Sequence, residues 1–287
     1  MLRRFKQVDV FTAEPLKGNP LAVVLDSGAL DTATMQRFTD WTNLSEATFL
    51  LPPMHPDADY TVRIFCPGRE LPFAGHPTLG SCHAWLEAGG EPKREVVVQE
   101  CGVGLVRIRR DGGRLAFAAP PLKKSGPLPD ADVELIARGL GIARRDIVDH
   151  AWCDNGPNWR AVMLGSSEQV LALKLDGAVL AGLNVGVVGP RGKVGVVGAR
   201  GAVKDEARFE VRAFFPGFNG LAEDPVTGSL NAALGQWLIG AGHAPPSYVA
   251  AQGTKLNRAG RVHVERVGDD IWVGGDSVTV VEGRVSI

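Results

Sequence analysis

The chain has 287 residues, 45% hydrophobic and 22% charged, with 31 Lys plus Arg against 32 Asp plus Glu. That composition can bury a core in one large domain or two ordinary ones, and it excludes a disordered chain. A net charge of −1 argues against a nucleic-acid partner, and no run approaches the ~20 apolar residues of a membrane span. Cys66, Cys82, Cys101 and Cys153 are scattered without a C-x-x-C pair, and Met1–Val10 does not read as a secretory leader. The expected setting is soluble, reducing and cytoplasmic, with the cysteines as small buried hydrophobes.

Alternating apolar residues predict strands at Lys6–Phe11, Leu21–Leu25, Thr48–Leu51, Tyr60–Phe65, Glu95–Gln99, Val103–Arg109 and Leu115–Ala118. Helical spacing predicts a helix over Thr32–Trp41, where Met35, Phe38 and Trp41 fall three apart on an apolar stripe. A second helix is expected from near Pro77 to Ala88, stopped by Gly89-Gly90. Ala119–Asp130 holds four prolines, a glycine and two lysines and is the clearest linker. A short helix is expected around Val133–Leu140. Later strands fall at Ala161–Leu164, Leu183–Val188, Val194–Val197, Arg208–Phe214, Arg261–Glu265, Ile271–Val273 and Val278–Val281. Gly189–Lys193 separates two valine runs and reads as a hairpin turn. The longest late helix should span Val226–Ile239, ended by Gly240 and Gly242. The domain expectation is an N-terminal half, 1–120, completed by about 276–287, a linker at 121–130 and a C-terminal half at 131–275.

The chain repeats itself once. Arg63-x-Phe65-x-Pro67-Gly68 recurs as Arg212-x-Phe214-x-Pro216-Gly217, 149 residues later. Pro77-Thr78 before Gly80-Ser81 and Trp85-Leu86 is echoed by Pro225 before Thr227-Gly228-Ser229 and Trp237-Leu238. A weaker echo pairs Asn19-Pro20 with Pro157-Asn158, each before an apolar strand. Two similar halves follow, each a strand, a Pro-Gly turn, a Gly/Pro/Thr/Ser loop and a helix. A solenoid would need more copies of a shorter unit.

Several motifs are ruled out. At Gly189–Lys193, Val187 and Val194 stand where a phosphate loop needs Gly and Ser or Thr. Gly102-x-Gly104 lacks the third glycine of a dinucleotide fingerprint. There is no G-x-S-x-G, and no His or Cys cluster has zinc spacing. Neither a metal nor another cofactor is implied. What remains is the repeated loops, Ala74–Thr78 and Glu223–Ser229. Free amides and the dipole at a helix start suit a carboxylate. Two related helix starts facing one cleft would hold a small carboxylic acid and stabilise an enolate-like anion. Ordinary capping by Thr78 and Asp224 explains either loop alone, and the matched pair favours a site. Glu46, ahead of a very apolar strand, is the candidate base, because burial would raise its pKa towards an acid/base range. The alternative is a solvated Glu at a strand start. His76 and Asp224 are candidates to tune or relay the proton.

At these residues a resemblance emerges. Val8–Thr12, Gly18-Asn19-Pro20, Leu44–Phe49, Glu70–Gly80, Glu223–Ser229 and Gln252-Gly253 together resemble the PhzF-like (phenazine-biosynthesis-like) family over nearly the whole chain. The resemblance implies an α+β, diaminopimelate epimerase-like fold, two pseudo-symmetric halves each with a mostly antiparallel sheet curled around a central helix. It implies isomerisation of trans-2,3-dihydro-3-hydroxyanthranilate or a similar small carboxylic acid by a cofactor-free proton shift. Glu46, His76 and Asp224 would be catalytic, and Gly75, Gly228 and Ser229 would bind substrate. Members are commonly homodimers. Epimerases of this fold use two cysteines, one before each paired helix. Ala74 and Thr227 stand at about those positions. Cys66 and Phe218–Ala222 depart from the family pattern. Two further readings stay open: a racemase or epimerase that works without cysteines, and a non-catalytic small-molecule-binding or interaction protein.

Overall fold

The computed structural model describes residues 1–192, 206–217 and 220–287. The strand expected at Val194–Val197 lies outside them, as do Lys193, Phe218 and Asn219. Two units are evident, Met1–Ala118 with Trp272–Ile287, and Ala119–Ile271.

In the first unit β1 (Leu2–Val10) and β2 (Asn19–Val24) pair antiparallel. Helix α1 (Thr32–Thr42) leads to β3 (Ala47–Leu51), parallel to β2. The chain reverses into β4 (Tyr60–Cys66) and again into the short β5 (Arg69–Leu71). Helix α2 (Gly75–Glu87) then leads to β6 (Val97–Cys101), parallel to β4. β7 (Gly104–Asp111) and β8 (Arg114–Ala118) continue as an antiparallel meander.

The second unit opens with α3 (Asp130–Leu140), then β9 (Ile147–Trp152) and β10 (Trp159–Leu164), antiparallel. Helix α4 (Ser167–Leu171) leads to β11 (Asn184–Pro190), parallel to β10. β12 (Ala207–Gly217) pairs antiparallel with β11 and with the short β13 (Gly220–Glu223). Helix α5 (Gly228–Gly240) leads to β14 (Ser247–Gln252), parallel to β12, and β15 (Gly260–Val267) pairs antiparallel with β14. β16 (Asp270–Gly275) carries the chain back to pair with β8, and β17 (Ser277–Ser286) pairs with β1.

The two strand orders match step for step, from the β1–β2 and β9–β10 pairs to the β6–β7 and β14–β15 pairs. The sequence repeat is therefore a duplicated supersecondary unit. Each unit places one helix, α2 or α5, directly after a hairpin and buries most of it. α2 contacts β1, β2, β3, β6, β8 and β17. It is buried from Gly75 to Cys82, and small residues make that possible. A Cβ on Gly80 would lie 2.6 Å from Leu21 Cδ2 and 2.9 Å from Val10 Cγ2.

Helix α1 covers the other face of the sheet. Asp31 caps it by accepting from Thr34 N at 2.7 Å, and Asn43 ends it at φ 56°. Met35 and Phe38 join Ala22, Val24, Phe49 and Phe65 in one core cluster. Trp41 does not, and is 77% exposed. Each three-residue step turns 60° short of a full circle, so by Trp41 the stripe has rotated out of the core, while Thr39 is buried instead. Gly189-Pro190 is also not a turn. Both residues pair with β12, and a Cβ on Gly189 would meet Ser166 O at 2.5 Å and Val170 Cγ2 at 2.7 Å. Glycine is needed there for close approach to α4. The strands β9 and β14 and the helix α4 have no counterpart in the sequence expectations. β9 carries Asp149 and His150 mid-strand and β14 carries two alanines, so neither alternates clearly. The described helices include none long and apolar enough to cross a membrane.

The repeated Arg-x-Phe-x-Pro-Gly builds the same object twice. Arg63 lies over the Phe65 ring at 5.1 Å and Arg212 over Phe214 at 4.9 Å. Each guanidinium grips a glutamate of the following hairpin arm with two nitrogens: Arg63 with Glu70 at 2.8 and 2.6 Å, Arg212 with Glu223 at 2.9 and 2.7 Å. Phe65 pairs across the hairpin with Glu70 and Phe214 with Glu223. The second hairpin has four more residues between Arg and Glu. Pro216-Gly217 is accordingly part of β12, whereas Pro67-Gly68 is a turn, with Gly68 at φ +81°.

Burial separates the twins. The Arg63 and Glu70 side chains are 28% and 40% exposed, the Arg212 and Glu223 side chains 6% and 12%. Glu223→Gln leaves a buried guanidinium uncompensated and should cost about 3–5 kcal/mol. Glu70→Gln should cost no more than about 1 kcal/mol. Urea unfolding of the two variants beside the parent checks the difference, and equal costs would contradict the burial argument.

Candidate active site

In the first unit the expected site residues converge. Gly75 and His76 are the first two residues of α2, and Glu46 directly precedes β3. Ser81 Oγ, on the second turn of α2, donates to Thr48 Oγ1 of β3 at 2.9 Å, both fully buried. That bond fixes β3 against α2 and brings Glu46 Oε2 to 3.4 Å from His76 Nε2. The Glu46 side chain is 17% exposed and His76 only 4%. Glu46 is therefore not a solvated residue at a strand start.

The ring's other nitrogen settles its state. Asn19 Nδ2 stands 3.3 Å from His76 Nδ1. An amide nitrogen only donates, so Nδ1 accepts and the proton of a neutral ring sits on Nε2, towards Glu46. Burial lowers the His76 pKa from 6.5 to about 3. At neutral pH Glu46 thus faces the N–H of a neutral ring, at a length beyond a tight hydrogen bond. Asn19 is held in turn by its loop. Gly18 N donates to Asp9 Oδ2 at 3.0 Å, and a Cβ on Gly18 would collide with Val10 O.

In the second unit Asp224, Gly228 and Ser229 also lie together. Thr227 is the N-cap of α5, Gly228 and Ser229 its first two residues. Thr227 Oγ1 donates to Asp224 Oδ2 at 2.7 Å. Trp159 Nε1, buried, donates to Ser229 Oγ at 3.1 Å, so the Ser229 hydroxyl hydrogen points elsewhere. Asn155 Nδ2 donates to Ser229 O at 2.8 Å.

Neither helix has the side-chain cap that would explain its loop away. Ala74 and Thr227, the N-caps of α2 and α5, make no capping bond. Thr78 Oγ1 donates to Ala74 O at 2.9 Å, and Asp224 takes the Thr227 hydroxyl. The first amides of each helix remain available to an anion.

Four supporting residues were given no role by the sequence, although Gln252 falls in the Gln252-Gly253 motif. Gln99, fully buried, accepts from Tyr60 OH at 3.0 Å and donates to Thr78 Oγ1 at 3.1 Å. Gln252 donates to Thr227 Oγ1 at 2.8 Å and to Asp224 O at 3.1 Å, and accepts from Thr227 N at 3.0 Å. Both stand on the strand after the central helix, 153 residues apart, the offset that also relates Glu70 to Glu223. That offset was the signal. Asn155 and Trp159 had a weaker one. The partner of Asn19 in the repeat is Asn155, which reaches the second residue of α5 as Asn19 reaches the second residue of α2. Asn158 is instead a turn residue at φ 61°, its N–H on Asp154.

The cysteines carry no activated thiol. Burial, the largest cause, and the Glu46 charge raise the Cys66 thiol above its ordinary value, against a lowering by Arg69. Burial pushes Cys82 and Cys153 up to about 12 and raises Cys101.

The neutral His76 makes a pH prediction. Unfolded, the ring takes a proton below 6.5; folded, only near 3. Stability from this group is complete above 6.5 and falls by up to about 1.4 kcal/mol per pH unit between those values. His76→Asn should flatten the acid limb of stability against pH by up to one proton, measured by urea unfolding from pH 7 to 4. An unchanged slope would mean that His76 is charged in the folded protein.

A model of the family described as phenazine biosynthesis-like protein matches residues 8–283. The chain is 36% identical to antisense-enhancing sequence 1 of Schizosaccharomyces pombe, over 98% of the chain and 97% of that protein. It is 31% identical to the trans-2,3-dihydro-3-hydroxyanthranilate isomerase of Pseudomonas aeruginosa, over 99% of each. The crystal structure of a PhzF family protein from Enterococcus faecalis superposes with a TM-score of 0.80 at 24% identity, over 100% of both chains. The duplicated half, with its helix behind a hairpin, is the α+β, diaminopimelate epimerase-like architecture of these proteins, and the chain belongs to the phenazine biosynthesis-like (PhzF) family.

Proposed function

We propose that this isomerase moves a proton on a small carboxylic acid without a cofactor, with Glu46 as the general acid/base. The observation that carries the reading is the pair in which a half-buried Glu46 faces the Nε2–H of a buried, neutral His76 at 3.4 Å. A proton shift needs one group that takes a proton at one carbon and returns it at another. A carboxylate largely shielded from bulk water, as Glu46 is at 17% exposure, can both take and return the proton. His76, neutral, turns its Nε2–H towards Glu46 without competing for the proton. The uncapped start of α2, with the Gly75 amide, suits a carboxylate or enolate oxygen. Asp224, Gly228 and Ser229 are proposed as further groups for the acid on the same ground, an uncapped helix start. The name of the P. aeruginosa relative suggests trans-2,3-dihydro-3-hydroxyanthranilate as the first substrate to assay.

Thiol chemistry is disfavoured by the two N-caps and by the raised thiols. Ala74 and Thr227 hold the helix-start positions, and Cys66, the cysteine whose thiol feels the Glu46 charge, is kept protonated. Turnover of trans-2,3-dihydro-3-hydroxyanthranilate should fall about 10²–10⁴-fold in Glu46→Gln, with ligand affinity within about tenfold. Cys66→Ala should stay within a few-fold of the parent. Retention of more than about a tenth of the turnover in Glu46→Gln would remove Glu46 from the mechanism. Loss of turnover in a folded Cys66→Ala would move it to the thiol.

A further inference from the structure

The strand register of the first unit lines up a glutamate, a cysteine and an arginine. Between β3 and β4, Ala47 stands opposite Phe65 and Thr48 opposite Ile64. One residue further, that register sets Glu46 level with Cys66. In the hairpin of β4 and β5, Cys66 stands opposite Arg69. Residues opposed across strands share a face, and neighbours along a strand alternate. The row Glu46–Cys66–Arg69 therefore lies on the face of Thr48 and Ile64, which the Thr48–Ser81 bond holds against α2. Phe65 and Glu70 lie on the other face, where Arg63 grips Glu70. The Cys66 thiol reports both ends of the row. Burial is the largest influence on it, the Glu46 charge raises its pKa further and Arg69 lowers it.

Arg69 is exposed, and no described carboxylate forms an ion pair with it. Adjacent strands lie roughly 4.8 Å apart, so two strand steps separate the backbones of Glu46 and Arg69 by about 10 Å. Cys66 between them is short and only partly buried. A small acid spans such an interval with its reacting carbon towards Glu46 and its carboxylate towards Arg69. A guanidinium is always charged, and its planar fork meets both oxygens of a carboxylate with parallel N–H donors. We propose that Arg69 binds the carboxylate of the substrate acid beside Glu46, a role that rests on the acid/base reading of Glu46. The amides at the start of α2 are then left for the anion that forms as the proton moves.

The test is calorimetric titration of the full chain with 2-aminobenzoate and with its uncharged counterpart, 2-aminobenzamide. The parent should prefer the acid by at least about tenfold, the worth of a hydrogen-bonded charge pair. Arg69→Gln should lose that preference while keeping the parent's Tm and its affinity for the amide within about twofold. Arg69→Lys should keep part of it, since the charge remains and the fork does not. A parent that binds the acid no better than the amide, or binds neither, would overturn the proposal. So would an Arg69→Gln variant that keeps the preference. Turnover plays no part in this titration, so the role of Glu46 is decided separately. Loss of the preference in Arg69→Gln with turnover retained in Glu46→Gln would uphold Arg69 and remove only Glu46. An unchanged preference in Arg69→Gln with turnover lost in Glu46→Gln would remove only Arg69.

Discussion

An imidazole sealed from water cannot readily carry a charge, and this constraint organises the first unit. His76 is buried at the start of a buried helix, where desolvation and the positive end of the helix both oppose a second proton. Once the ring is neutral, its two nitrogens have different jobs, and Asn19 decides which is which. The rest of the local structure serves that arrangement. Asp9 and the absence of a side chain at Gly18 hold the Asn19 loop, while the Thr48–Ser81 bond holds the strand that presents Glu46.

The second unit uses the same scaffold with different chemistry at its helix start. A glutamine from the following strand braces a threonine in both, Gln99 with Thr78 and Gln252 with Thr227. An asparagine reaches the second residue of the helix in both, His76 in one and Ser229 in the other. An imidazole stands at the second residue of α2, whereas the second residue of α5 carries a hydroxyl that accepts from Trp159. Duplication preserved the frame, and the residues at its tip diverged. The Arg–Glu pairs show the same divergence through burial, since one is partly exposed and the other closed off.

Much of this was legible in the sequence because it rests on local pattern. The Arg-x-Phe-x-Pro-Gly repeat announced two halves, and Pro and Gly near each helix start marked the two loops. Glu46 stood out because a charge leads into Ala-Thr-Phe-Leu-Leu. What the sequence hid depends on packing between distant segments. Trp41 fell on an apolar stripe that only the turn angle of the helix excludes from the core. Gly189 looked like a turn because nothing in its neighbours reveals that α4 lies against it. Asn19, Gln99, Asn155 and Gln252 act on residues 21 to 74 positions away, and single polar residues at such distances carry no periodic signal. The 153-residue offset recovers the glutamines once Glu70 and Glu223 are known to be equivalent.

The most direct test of the account is the protonation state of one ring. Nitrogen-15 NMR of the histidine side chains, with His76 assigned through His76→Asn, reports which nitrogen carries hydrogen and at what pH it titrates. The account predicts a neutral ring with hydrogen on Nε2 and a bare Nδ1, unchanged from pH 8 down to about 5. A His76 that titrates near 6.5, or carries its hydrogen on Nδ1, would contradict it.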